Sequence, residues 1–304
     1  MLGLVAVLFV LSILTYLLIA LAPGDAATAI AERRAGPGAS ASQIREIREA
    51  LGLDDPLPVQ YIRWVGAAIR GDLGVSVRSL QPITGEVLDR LGVTLALAGG
   101  ALVLVVLGGI PLGIAAGLRA GGWIDRVLRL AAVGAVSVPS FVVGYLLIYL
   151  LGLRLHLVST LGGRDLGSFV VPWVVLALPF VGALSRVVRS ALLTTLGQPF
   201  ITTALSKGLK MSVIVRRDAL PNAAAPILAV LGAQAGQILA GTVVVETIFS
   251  IEGLGLYFLR AVAFRDIPAI QACVLLFAVG FVLANLAADV VQALVDPRIR
   301  ESLA

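Results

Sequence analysis

Six stretches of the chain, 2–22, 93–118, 130–153, 169–188, 227–247 and 269–295, are almost continuously apolar. Each is close to the roughly 20 residues that a helix needs to cross the hydrocarbon of a bilayer. No water reaches backbone N–H and C=O groups there, so each run must satisfy its own hydrogen bonds, which a helix does within one segment. The expected fold is therefore an all-α membrane protein with six transmembrane helices. Charged residues make up 13% of the chain, against about 25% in soluble domains. The first run is too long for a signal-peptide core and lacks a basic start, so it reads as a retained helix. The domain organisation follows: 1–22 is the first span, 23–91 a polar segment, and 92–304 a five-helix core.

Charge fixes the expected sidedness. Loops 118–129 and 186–225 together with the C-terminal tail hold 11 Lys plus Arg against 4 acids, while the two short loops on the other side hold 4 Arg against 3 acids. Short loops rich in Lys and Arg stay cytoplasmic. Both termini are then cytoplasmic, and 23–91 is extracytoplasmic. The sequence pI near 9.9 does not imply nucleic acid, because the arginines flank apolar runs instead of forming one patch. The bilayer is the partner they indicate.

The 23–91 segment carries 8 Arg against 9 Asp plus Glu and has helical pattern. Ser42 can cap a helix with Ile44, Ile47 and Leu51 on one face, ended by Gly52. Pro58 can open a second helix through Val59, Ile62, Trp64 and Ile69, ended by Gly71. Such a segment either shields the bundle as a cap or serves as a platform for a soluble partner.

The loop 200–225 is unusual for lying between two apolar runs. It holds the chain's only two lysines, Lys207 and Lys210, and the pair Arg216–Arg217. Leu205, Leu209, Val213 and Ile214 recur at helical spacing, Gly208 interrupts them, and Pro221 is expected to end or turn a helix. A short amphipathic helix, a bend and a second helix returning to the membrane form a candidate docking surface on the cytoplasmic side.

Several of these segments resemble the permease subunits of bacterial ABC importers, of the dipeptide, oligopeptide and nickel type. The spacing Ala204, Gly208, Leu220-Pro221 is similar to that family's cytoplasmic coupling loop, with Thr202 where its name-giving Glu falls and Asp218 where an apolar residue is usual. Thr203-Ala204-x-x-Lys207-Gly208 looks like the peptide and nickel branch. Ser137-x-Pro139-Ser140-Phe141 in the third run, Glu246-Thr247-x-Phe249-Ser250-x-x-Gly253-Leu254-Gly255 after the fifth and Asp296-Pro297-Arg298 at the tail are also similar. So are the stretches from Leu51 (LGLDDPLPVQYIRWV) and from Gly71 (GDLGVSV).

The resemblance implies a bacterial inner-membrane permease that forms half of a translocation pathway for peptides, or for nickel chelates, glutathione or another small solute. The implied partners are a second, homologous permease subunit, two ATPase subunits at 200–217, and an extracytoplasmic substrate-binding protein or lipoprotein. ATP and magnesium would sit on the ATPases, with no cofactor on this chain. Thr202, Thr203, Ala204, Leu205, Lys207, Gly208, Leu209, Lys210, Arg216, Arg217, Leu220 and Pro221 would form the ATPase contact.

Other polar residues in apolar runs carry two readings each. Ser137 and Ser140 flank a proline, so they either mark a kink or line the pathway. Gln234, Gln237 and Thr242 are uncharged and can hydrogen-bond a passing solute without trapping it, or can join helices. Glu246 near the outer end of the fifth run, with Phe249, Gly253 and Gly255, is either a structural turn or an outer gate. Asn285, Asp289 and Gln292 share one helix face; they form an ion relay or a structural stripe near the cytoplasmic interface. If Asp289 and Glu246 coupled an ion gradient, the chain would be a secondary transporter instead. A membrane scaffold is a third alternative.

Absences narrow the chemistry. There is no G-x-x-x-x-G-K-[ST], G-x-S-x-G or H-E-x-x-H. One cysteine and one histidine leave no metal site of the usual kind. The chain is expected not to be an enzyme.

Overall fold

In a computed structural model, which describes residues 2–20, 26–36, 38–156 and 166–295, the protein is predominantly helical. The helices are α1 (Leu2–Ala20), α2 (Ala26–Ala35), α3 (Ala41–Leu51), α4 (Leu57–Ile69), α5 (Ile83–Leu118), α6 (Trp123–Ser137) and α7 (Ser140–Leu147). After α7 come α8 (Leu166–Leu196), α9 (Pro199–Ser206), α10 (Met211–Ile214), α11 (Leu220–Phe249), α12 (Leu254–Ala263) and α13 (Ile267–Val295). Two π-helical stretches, Ile148–Arg154 and Val215–Ala219, continue α7 and α10.

Among the described residues four helices are long and apolar enough to cross a membrane: Ile83–Leu118, Gly167–Leu196, Met211–Phe249 and Ile267–Leu294. The pair Trp123–Ser137 and Ser140–Arg154 is bent by 97°, and counts as a fifth if taken as one span. The bend falls at Val138-Pro139, because a residue before proline is pushed out of the α region; Val138 has ψ 123°.

The chain forms two compact units, 1–94 with 252–280 and 95–251 with 281–304. In the first, Ile83, Val87, Leu254, Tyr257, Ala261, Ala269, Ala272 and Cys273 make the core. Tyr257 donates to the Glu86 carboxylate at 2.8 Å, with the Arg90 guanidinium 4.7 Å above its ring. Burial, then the Glu86 bond, pushes the phenol well above the usual tyrosine range, so it keeps the proton it donates. The loop 72–82 folds back through Ser76 N–H to Gln81 O at 3.0 Å and Ile83 N–H to Gly74 O at 2.9 Å. Buried Asp266 fastens that loop: it accepts from the Ser76 hydroxyl, from Val77 N–H at 3.0 Å and from Arg78 N–H at 3.1 Å.

In the second unit a line of small residues on α5 meets α8. Gly109 faces Leu184, Gly113 faces Val188 and Gly117 faces Leu192. A Cβ on Gly113 would lie 2.6 Å from the Ser185 carbonyl oxygen, so only glycine permits this approach.

Two details depart from the sequence reading. α3 is capped by Ser40, not Ser42; Ser40 and Gln43 form a reciprocal capping box, and the expected Gly52 end is present in left-handed geometry. Pro172 and Pro179 both lie inside α8, which is continuous through them. Pro221 does not end a helix. It lies inside the continuous helix Met211–Phe249, just after the π turn Val215–Ala219, and the break falls instead at Gly208. The Asp296-Pro297-Arg298 tail and part of the loop carrying His156 lie outside the described residues.

Candidate functional site

The basic loop is a helix–turn–helix. Pro199 occupies the first turn of α9, pre-set for helix. α9 ends at Lys207, and Gly208 turns the chain with φ +74°, a left-handed value that a side chain disfavours. α10 then runs through the π turn Val215–Ala219 into α11. Asn222 stabilises this entry by donating to the Asp218 carbonyl at 2.7 Å.

The two sides of this segment differ sharply. Ile201, Ile214, Val215 and Ala219 are buried in a cluster with Leu192, against which Ile114, Leu196, Ala204 and Leu220 pack. The other side is open: Phe200, Leu205, Leu209, Met211 and Val213 are exposed large apolar residues. Lys207, Lys210, Arg216 and Arg217 are exposed among them, as are Thr202, Thr203, Gly208 and Pro221. An apolar patch rimmed by cations, standing on a buried cluster, is suited to bind an acidic-rimmed protein groove. Phe200 and Met211 were not singled out from the sequence, because neither fits the periodicity that marked their neighbours.

An ion pair that the sequence reading also missed joins α6 to α8. Asp125 accepts from Arg189 Nε at 2.6 Å and Nη2 at 2.9 Å, and from Gly121 N–H at 2.9 Å. Its carboxylate is fully buried, while Arg189 keeps 22% exposure. The bidentate pair ties the start of α6 to α8. Sixty-four residues separate the partners, so only the fold makes them neighbours.

The remaining candidates fall into different environments. Ser137 spends its hydroxyl on the Val133 carbonyl at 2.8 Å, and Thr242, fully buried, does the same with Leu239 at 2.7 Å. Ser140 is half-buried as the first residue after the bend. Gln234 is buried, with Nε2 3.4 Å from the Phe180 carbonyl and Oε1 without a partner among the described residues; Gln237 is exposed.

Glu246 is fully buried, and its backbone carbonyl accepts Ile251 N–H at 2.9 Å, closing the turn after α11. Phe249, Gly253 and Gly255 are buried too. Asn285 bonds its own helix at Phe281 O, 2.8 Å. Asn285 and Gln292 are half-buried while Asp289 is exposed. The stripe therefore does not converge on one enclosed spot.

Comparisons with known proteins cover the full length. Residues 109–301 match the family model of the binding-protein-dependent transport system inner membrane component, and 1–98 match the N-terminal model for such membrane components. The chain is 36% identical over 304 residues to the "Probable peptide ABC transporter permease protein y4tP" of Sinorhizobium fredii, spanning 97% of this chain and 96% of that one. It is 36% identical over 300 residues to the glutathione transport system permease protein GsiC of Escherichia coli O6:H1, spanning 99% and 97%. A solved structure of the inward-facing MetNI methionine ABC transporter aligns with TM-score 0.55 at 16% identity, over 67% of this chain and 93% of that chain, a likeness of fold alone. The family-model match over 109–301 takes in the basic helix–turn–helix between α8 and α11. This chain belongs to the binding-protein-dependent transport system inner membrane component family, as a multi-pass, non-catalytic permease subunit of an ABC importer that binds no cofactor of its own.

Proposed function

We propose that this permease imports peptides of the dipeptide to oligopeptide class, and that its 200–217 segment is where two ATPase subunits grip it. The observation that carries the coupling reading is the two-sidedness of α9–α10: one side locked into the Leu192 cluster, the other an exposed apolar patch with four cations. A topology signal alone would need the cations but not the apolar patch. The substrate reading is supported by the relatives, one named as a peptide permease and one as a glutathione permease, glutathione being itself a tripeptide.

In this reading the chain has six spans with both termini cytoplasmic, α1 being the first and the bent α6–α7 pair the third. A second permease subunit completes the pathway, and the 23–91 segment receives the substrate-binding protein. ATP-driven closure of the ATPases moves α9, and the spans on either side of it alternate the opening of the pathway. Gln237, exposed on α11, and Gln234 beside it are the pathway residues this reading favours.

The test is to replace Leu205 and Leu209 with Asp, singly and together. Both are exposed, so the chain should insert at its normal level. Expected are loss of ATPase subunits from the purified complex and loss of import. Import and co-purification unchanged in the double variant would refute the assignment.

A further inference from the structure

Helix α4 has no buried residue at all, yet it is well tied down. One side of it lies against α1: Tyr61 and Ser12 share a hydroxyl–hydroxyl bond at 2.7 Å, and Tyr16 donates to Gln60 Oε1 at 3.0 Å. The Tyr16 ring stands edge-on to Tyr61 at 5.6 Å and is tilted over Trp64 at 5.9 Å. Gln60, Tyr61 and Trp64 therefore account for the side of α4 that faces α1.

A second apolar side remains. Val59, Ile62, Val65 and Ile69 recur at three- and four-residue intervals, well round the helix from Gln60 and Trp64. Ile62 is 69% exposed and Ile69 81%. Beyond this stripe stand Arg63, held to Asp55 at 2.6 Å, and Arg70, exposed at the helix end. The helix is thus apolar toward α1, apolar again along an open stripe, and basic at one edge.

Depth along α1 decides what can cover that stripe. At 1.5 Å rise per residue, Tyr16 and Ser12 lie about 6 and about 12 Å below the Ala20 end of α1. An interfacial helix buries its apolar side about 5–10 Å into the boundary between headgroups and acyl chains. Tyr16 falls within that range and Ser12 just beneath it. The cluster of Tyr16, Tyr61 and Trp64 is also the residue chemistry that membrane–water interfaces collect. A stripe held at that level beside a span is covered more readily by lipid than by a soluble protein, which would meet the parts of 23–91 farther from the bilayer.

We infer that α4 is an interfacial helix, its Val59–Ile62–Val65–Ile69 stripe seated among the acyl chains of the leaflet toward which the Ala20 end of α1 points, with Arg70 at the phosphates. The inference rests on α1 being a membrane span. It does not depend on the ATPase contact or on the solute.

The experiment uses the assembled transporter in liposomes of phosphatidylethanolamine and phosphatidylglycerol. With the buried thiol removed by Cys273→Ala, single cysteines replace Leu14, Ile62, Ile69 and Arg70 in separate variants, each carrying a nitroxide. Collision rates with oxygen, which concentrates in acyl chains, and with a water-soluble nickel chelate give the depth of each label. Labels at Ile62 and Ile69 should favour oxygen several-fold, like the label at Leu14 on α1, and the label at Arg70 should favour nickel. If 62 and 69 follow 70 while 14 stays in lipid, the stripe faces water and the inference fails although α1 spans. If 62 and 69 are shielded from both agents, a protein covers them and the inference fails. If 14 also collides with nickel, the span reading itself is wrong and the inference falls with it.

Discussion

Asp266 is a buried carboxylate whose acceptors face the loop 72–82 and the first turn of α13. It receives Val77 N–H, Arg78 N–H, the Ser76 hydroxyl and, at 3.4 Å, Ala269 N–H. Buried donors left without an acceptor cost about 1–3 kcal/mol each, so one carboxylate answers several of the loop's donors at once, beside the packing of Val77 and Leu73. Asp266→Ala is expected to release the loop while leaving the Ile83–Leu254 core in place. Trypsin should then cut after Arg78, which is exposed, many times faster than in the parent chain. Equal cutting rates would show that the carboxylate does not hold the loop.

At the scale of elements, the line of Gly109, Gly113 and Gly117 decides how closely α5 and α8 approach. Gly113→Val sets a side chain against the Ser185 carbonyl, a backbone atom that cannot rotate away, and overpacking of this kind costs about 1–3 kcal/mol. Gly99→Ala, on the same helix with nothing within 4 Å, is the matched control. Thermal unfolding in detergent should separate the two, and an unchanged midpoint for Gly113→Val would contradict the close approach. The long apolar helices were legible because composition over twenty residues overrides local detail. Gly52 was legible because its left-handed cap has one preferred residue. Ser40 was not, since Ser40 and Ser42 offer the same hydroxyl and only the Gln43 side chain chooses between them. Pro221 misled because a π turn carries the helix into it, which no local pattern displays. Asp125 with Arg189, and Asp266 with Ser76, are joined only through tertiary structure, beyond any local pattern.

For the whole molecule, the basic helix–turn–helix stands between two long helices and is fastened to both. Leu192 belongs to α8, Ala219 to the turn that opens α11, and Ile201 and Ile214 sit between them in one buried cluster. In the proposed coupling this makes a lever bolted at both ends, so a push on its outer side is delivered to two shafts together. Loosening the bolts should therefore produce slippage instead of breakage. Ile214→Ala removes a fully buried side chain, a change worth about 2–5 kcal/mol in a packed core, and leaves the outer patch untouched. The ATPases should still bind and burn nucleotide, while the number of solute molecules moved per ATP falls. A ratio equal to the parent's would mean that this joint is not stiff enough, or not loaded enough, to govern the stroke.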